Sequence, residues 1–540
     1  MASNLNRVVF AASVSAVALA SAVTAGQQVG PLQGVAPPAD AATLTPFATR
    51  IDPHVQKPRV IVLTDIANEP DDQMSLVRLL VSSNQFDIQG LVATTSRHLR
   101  SAPRPDVMRS VIDAYGKVQP NLAKHEPGFP TAEALTKLVM VGQDSYGMAA
   151  VGEGRMTPGA EAIIRAADSA DPRPVWISVW GGVNTLAQAL WSVRSTRPAD
   201  LQRIVEKLRV YTISDQDDAG PWLRREFPTL HYIATPGDTN DYHVATWTGI
   251  AGDEFYRNGA GADFTTVSEA WVDEHMRKKG PLGEFYPYPC CIIEGDTPAF
   301  LSLMNNGLVS YMNPTFGGWG GRYVWRQPWL ETRPYWTNSR GSRDTVVGTD
   351  GKSYTSDQAT IWRWRQAFQH DFAARMDWTI KDVAAANHNP DVLVNGVEGK
   401  APLMLDATVG TAVVLDASKS RDRDKHTLQY SWFFYPEAGS GLPGAGGGRV
   451  GGGAGAPRAG TPPVGRAANP GRATGIPSAP RGGRGAPTPR VTVSNDTSAV
   501  ATVMPNSAGV AHVIVAVTDN GTPILTSYRR VILTIQNSGR

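Results

Sequence analysis

The stretch RVIVLTDIANEPDDQMSLVRLLV, residues 59–81, decides the fold. Val60 to Leu63 form an unbroken apolar run, the pattern of a parallel strand covered on both faces. Asp65, Glu69, Asp71 and Asp72 follow, and then Met74, Leu76, Val77, Leu79 and Leu80 recur at helical spacing over 74–82. A strand–loop–helix unit of this kind sets its carboxylates at the carboxyl edge of a sheet, where open α/β folds bind their ligands. Acids this close repel one another, so a hard cation with oxygen ligands is a natural resident. The alternative is a helix cap, since Asn68, Glu69, Pro70 and Asp71 all suit a first helical turn. Capping uses one or two of these residues, not four.

Outward from this stretch, residues 57–387 alternate apolar strand-like runs with helical ones. Strands are predicted at Val60–Leu63, Ile88–Thr94, Val139–Val141, Val175–Val179, Leu208–Ile213 and Leu230–Ile233. Helices are predicted at Met74–Ser82, Pro105–Val118, Gly159–Asp168 and Thr185–Val193. The alternation predicts an α/β domain with a mostly parallel sheet and flanking helices. Past Asn387 the pattern changes to short β-rich runs separated by polar turns, at 410–439 and 491–537. Residues 388–540 therefore read as an all-β, Ig-like sandwich with Trp432 in its core. Residues 440–490, nearly all Gly, Ala, Pro, Arg, Ser and Thr, read as a disordered loop interrupting it. That loop holds seven arginines and no acid, so the net charge of +2 is a property of this one segment. It is either a tether to anionic surfaces or a solubilising insertion.

The overall charge gives no reason to expect a nucleic-acid partner. Residues 1–25 have the form of a signal peptide: Arg7, an apolar core over 8–20, then Val23-Thr24-Ala25. They predict a secreted or periplasmic protein with no stable membrane anchor after cleavage. Residues 26–56 read as a flexible leader. The two cysteines, Cys290 and Cys291, are adjacent, a spacing that strains a disulfide and falls short of a zinc site. They are expected to be buried, inert thiols.

Two more strand-to-helix corners carry functional signals. Residues 178–187, SVWGGVNTLA, turn on two glycines; residues 292–301, IIEGDTPAFL, place Asp296 as either a helix cap or a fourth carboxylate. In this order the three pieces resemble the nucleoside hydrolase superfamily, whose DTDxGxDD, GPLTNIA and HDPxA motifs correspond to TDIANEPDD (64–72), GGVNTLA (181–187) and GDTPAFL (295–301). The chain more closely resembles a bacterial family of cellulose-binding proteins with a nucleoside hydrolase-like domain and a C-terminal Ig-like domain. That resemblance rests on TDIxNEPDD, GDTPxFL, LDAS…LxYSWxxYPEAG and VTDNGTPxLTxYRR, and it covers nearly all of 57–537 outside the Gly/Arg loop.

The resemblance implies calcium held by Asp65, Asp72, Asp296 and the main-chain carbonyl of Asn184. It implies Asp65 as the base that deprotonates the attacking water and Asp71 as a holder of sugar hydroxyls. RREFP at 224–228 resembles the superfamily's AEFN segment and implies Glu226 as a sugar contact. The chain departs from the superfamily at Pro228, where a ribose-binding Asn is expected. It departs also at Gly295, where His is frequent, and at Ser96-Arg97-His98, where GN is expected. His98 and His243 are candidates for protonating the leaving group. The implied function is calcium-dependent hydrolysis of N-glycosyl or related sugar bonds, on a carbohydrate or glycoside outside the cell. The alternative is a non-catalytic protein that binds cellulose or another polysaccharide. Trp319, Trp325, Trp329, Trp336, Trp362 and Trp364 would serve it if exposed in a line, and are core residues otherwise.

Overall fold

The six apolar runs become parallel strands of one sheet: β1 (Arg59–Thr64), β2 (Asp87–Ala93), β3 (Val139–Val141), β4 (Val175–Val179), β5 (Leu208–Thr212) and β6 (His231–Ala234). Two short strands complete it, β7 (Val324–Arg326) and β8 (Tyr335–Thr337), β7 running antiparallel at the edge. The spatial order is β3-β2-β1-β4-β5-β6-β8-β7. The chain thus builds outward from β1 through β2 and β3, then returns to lay β4 on β1's other side. This reversal at the β1/β4 border leaves a crevice beyond the strands' carboxyl ends. Every residue of β1 is buried, as its unbroken apolar run requires.

The computed structural model describes residues 47–234, 249–328, 331–338, 341–440 and 489–539. The signal peptide, most of the leader, His243, Trp329 and the Gly/Arg segment 441–488 lie outside the described residues. Among those described, no helix is long and apolar enough to cross a membrane.

The helix after β1 spans Asp71–Val81, so Asp71 and Asp72 sit in its first turn and not in the preceding loop. The N-cap residue is Pro70, which offers no side-chain cap, and the two acids of the first turn lie at the positive end of the helix. The tail of the expected leader is also ordered. Asp52 pairs with Arg209 (Nε–Oδ2 2.6 Å) and its amide donates to the Met312 carbonyl, 2.8 Å. Burial of those polar groups in matched pairs is what holds residues 47–56 down.

The C-terminal strands form two sheets. Leu403–Thr408, Thr526–Gln536, Gly509–Thr518 and Gln429–Phe434 make one; Val413–Asp416, Val500–Pro505 and Val491–Ser494 make the other. Trp432, Leu415, Val503, Val515 and Leu533 fill the space between them. The described residues belong to one compact unit, and the long strand Thr526–Gln536 shows how the halves are joined. Arg530 is fully buried, its Nε donating to the Leu308 carbonyl and its Nη2 to that of Gly317, both at 2.8 Å. The Tyr528 amide donates to Asn306 O at 3.0 Å.

Trp319, Trp336, Trp362 and Trp364 are buried, and Trp325 is half-buried. Trp325 and Trp336 face each other across the β7–β8 pair with ring centroids 5.3 Å apart. These rings are core and sheet residues, not an exposed stacking line.

Candidate metal and active site

At the β1/β4 border the carboxylates converge. Asp71, Asp72 and Asp296 each bring an oxygen within 4.8 Å of the others, and all three are buried. Asp65 follows β1 directly and joins them electrostatically. Among the described residues, no Lys, Arg or His forms an ion pair with any of the four.

Desolvation by burial therefore dominates their electrostatics, and mutual repulsion adds to it. Burial, with some repulsion from Glu69, pushes Asp65 up to about 6. Burial, Glu69 and Asp65 push Asp71 up to about 7. Asp72 and Asp296 rise well above the ordinary value through burial and their neighbouring aspartates. Asp71 Oδ1 and Asp296 Oδ2 are buried without any hydrogen-bond partner. Orphaned acceptors this deep are costly to leave unmatched, and a hard cation with oxygen ligands would satisfy them. The donor set, carboxylate oxygens without sulfur or imidazole, fits calcium.

Each acid is aimed by a specific neighbour. Thr64, the last residue of β1, donates to Asp72 Oδ1. Ser96 donates to Asp65 Oδ2 at 2.5 Å; it belongs to the Ser96-Arg97-His98 triplet that departs from the superfamily pattern. Between Asp65 and Asp71 the backbone passes through Ala67 at φ +82°, the turn that folds the acids back on each other. Gly181, after β4, packs on Asp65: a Cβ there would lie 2.7 Å from Oδ1. A Cβ on Gly295 would collide with Asp71 Oδ2. The absence of His at this position therefore makes room for a carboxylate.

Asp296 is held from behind by a clamp that sequence reasoning missed. Arg78 forks onto Glu294, Nε–Oε2 2.6 Å and Nη2–Oε1 2.9 Å, and donates to the Phe368 carbonyl at 2.9 Å. Tyr286 and Thr297 complete the shell around Glu294, at 2.6 and 2.7 Å. Glu294 itself has φ +50°, a strained conformation that this packing over-determines. Arg78 had a legible signal: a lone cation on the otherwise apolar face MSLVRLLV needs a buried anion.

Asn184 opens the helix Asn184–Thr196. Its Nδ2 donates to the Ser145 carbonyl at 2.9 Å, its Oδ1 accepts from Thr94 at 3.3 Å, and its amide donates to Asp217 at 3.0 Å. The side chain is thus structural, and any part in holding an ion falls to its main-chain carbonyl.

Glu226 is not brought to the cluster. The helix Ala219–Glu226 starts beyond the carboxyl end of β5 and runs back, which sets its last residue at the opposite edge of the sheet. There Glu226 pairs with Arg194 and Arg225, both at 3.0 Å. The expected sugar contact is a structural ion pair, and Pro228 lies at that same far edge.

Beside the acids opens a cavity of about 350 Å³ in which Glu69 and Asp71 face Arg97, His98, Gln216 and Tyr256. Its remaining wall is largely apolar, with Ile213, Phe255 and Ile292. His98 sits exposed at the cavity rim, and desolvation on its inner side lowers its pKa, which disfavours the imidazolium.

A family model described as cellulose-binding Sde182, nucleoside hydrolase-like domain, matches residues 59–323. A second, the C-terminal domain of cellulose-binding protein Sde0182, matches residues 412–535. Among solved structures, a nucleoside hydrolase-related hypothetical protein from Saccharophagus degradans, described as associated with carbohydrate metabolism, is 35% identical. The match covers 89% of this chain and 100% of that one, with a TM-score of 0.67. The type III effector XopQ also matches, at 10% identity over 63% of this chain and 99% of that one, but its TM-score of 0.29 carries no argument. No curated protein matches. Both family models and a relative aligned over its whole length agree, and the chain belongs to the Sde182 family of proteins with a nucleoside hydrolase-like domain and a distinct C-terminal domain.

Proposed function

We propose that the protein is an exported, calcium-dependent hydrolase of glycosyl bonds, acting on an N-glycoside or a related sugar linkage. The observation that carries this reading is the set of four buried carboxylates, without a countercharge among the described residues, at the sheet's reversal point, one of which, Asp71, lines a cavity of about 350 Å³. Asp65, Asp72, Asp296 and the Asn184 carbonyl would hold the ion. Bound calcium supplies a Lewis-acid centre that polarises water and anchors sugar hydroxyls.

The chain's own groups do the rest. Asp65, fixed by Ser96, takes the proton of the attacking water. Asp71, at the cavity edge, accepts hydrogen bonds from sugar hydroxyls, and the surrounding carboxylates favour positive charge developing on the sugar. Ile213, Phe255 and Ile292 exclude water from the leaving-group side. His98 is the group placed to meet the leaving group, as a hydrogen-bond donor whose lowered pKa works against general-acid protonation.

The test is release of sugar from a panel of nucleosides, aryl glycosides and cello-oligosaccharides, with calcium and with chelator. Calcium-dependent release that Asp65→Asn abolishes supports the reading; calcium binding with no release from any substrate sinks it. A second reading, a non-catalytic binder of cellulose, is favoured by the description of the matching family. Retention of cellulose by Asp65→Asn, with no turnover by the wild type, would select it. Because Trp319, Trp336, Trp362 and Trp364 are buried, the acid-lined cavity would then be the contact, and Trp319→Ala would act through folding.

A further inference from the structure

The chain's two cysteines, expected from the sequence to be buried and inert, are both exposed. Their Sγ atoms lie 2.9 Å apart. Cys291 lines the cavity that contains Asp71 and His98. It also lines a neighbouring cavity of about 440 Å³ formed with Glu254, Val267 and Tyr288. Phe255, Cys291 and Ile292 are common to both, so the cysteine segment is the partition between them. Five residues beyond Cys291 the same segment delivers Asp296.

We propose that Cys290 and Cys291 are a redox-modification site in this partition, closing reversibly into a disulfide between neighbouring residues. The oxidant is a small disulfide. The thiolate of one cysteine attacks it and expels one thiolate. The neighbouring thiolate then attacks the mixed disulfide and expels the second. In sum, two protein thiols lose two protons and two electrons, and the external disulfide becomes two thiols. Exposure admits the reagent, and adjacency gives the second attack a very high effective concentration. Residues joined by one trans peptide have Cα atoms about 3.8 Å apart, below the usual disulfide span, so the closed ring is readily reduced again. Closing it replaces two free rotors in the cavity wall with one rigid ring, on the segment that presents Asp296.

The experiment is treatment of the full chain with oxidised glutathione, followed by alkylation and mass analysis of the peptide holding both cysteines. The expected result is loss of two hydrogens, loss of both alkylatable thiols and no attached glutathione, all reversed by dithiothreitol. In Cys290→Ser and Cys291→Ser the remaining thiol has no neighbour to displace glutathione, and each variant gains one glutathione. Persistence of both free thiols, two glutathiones on the wild type, a crosslink between two chains, or no adduct in the single variants would each overturn the proposal. None of these readouts depends on calcium or on turnover.

Discussion

Asp52 and Asp344 lie as deep in the protein as Asp72 and Asp296, yet their surroundings are opposite. Asp52 faces Arg209, and Asp344 faces both Arg322 and Arg363, at 2.6 to 2.9 Å. Burial alone would raise these two carboxyls; the guanidinium partners outweigh it and hold both below the ordinary value. Glu294, two residues from Asp296, has Arg78 in the same role. The site acids receive hydroxyl donors, Ser96 and Thr64, and no cation. The chain thus supplies arginines to several buried acids, and none to the four of the cluster. Asp217, also buried without a cation, is answered by the amides of Asn184 and Ala219; four acids clustered without a cation are a place where a bound ion would offset the mutual repulsion.

The comparison can be broken at its structural end first. Arg209→Met leaves the buried Asp52 with only the exposed Arg50 as a partner and is expected to cost about 3 kcal/mol in urea unfolding. A loss below 1 kcal/mol would show that the pairs are incidental. Next is the ion itself. Asp296→Asn is expected to weaken calcium binding by at least roughly a hundredfold in titration calorimetry, beyond what loss of a ligand's outer partner costs. A wild type that binds no calcium would end the contrast outright.

Third comes metal-free stability. Asp65 and Asp71 have folded values raised to about 6 and about 7, against 3.8 ordinarily, so what their neutral forms contribute is present at low pH. It is lost as pH rises from about 4 through those values. Asp52 and Asp344 have lowered values, so their contribution is present above 3.8 and lost as pH falls through the folded values. Thermal melts in chelator should therefore fall between pH 5 and 8, and calcium should abolish that fall. Asp72→Asn without metal at pH 8 should melt at a higher temperature than wild type, because it removes a carboxylate whose charge burial and the neighbouring aspartates oppose. The smallest effect belongs to the exposed pair Arg421–Glu398, at 2.7 Å. Arg421→Ala should change stability by less than about 0.5 kcal/mol, which calibrates the buried cases.

The central strands were legible because a parallel strand covered on both faces has one composition, and Val60–Leu63 or Val175–Val179 have it. β7 and β8 were not: three residues each, built around Trp325 and Trp336, they show no period at all. The acids of the site were legible as types, since strand, acid and helix follow each other so closely. Glu226 was misread because a short motif carries no information about which end of a helix faces the crevice. The Arg78–Glu294 clamp spans more than two hundred residues, and only folding reveals such a pair. The cysteines were misplaced because burial is the usual fate of thiols, and adjacency says nothing about which side of a wall they line.

Arg530 and Tyr528 have an implication for how this protein could be rearranged by recombination. They reach from the last long strand of the chain into carbonyls of residues 306–317, only a few positions past Asp296. The terminal module is therefore no detachable appendage that could be traded for another. A graft lacking the Arg530 side chain and the main-chain contact at Tyr528 would leave the ground beneath the candidate catalytic loop unsupported, and the two halves are expected to have changed partners rarely.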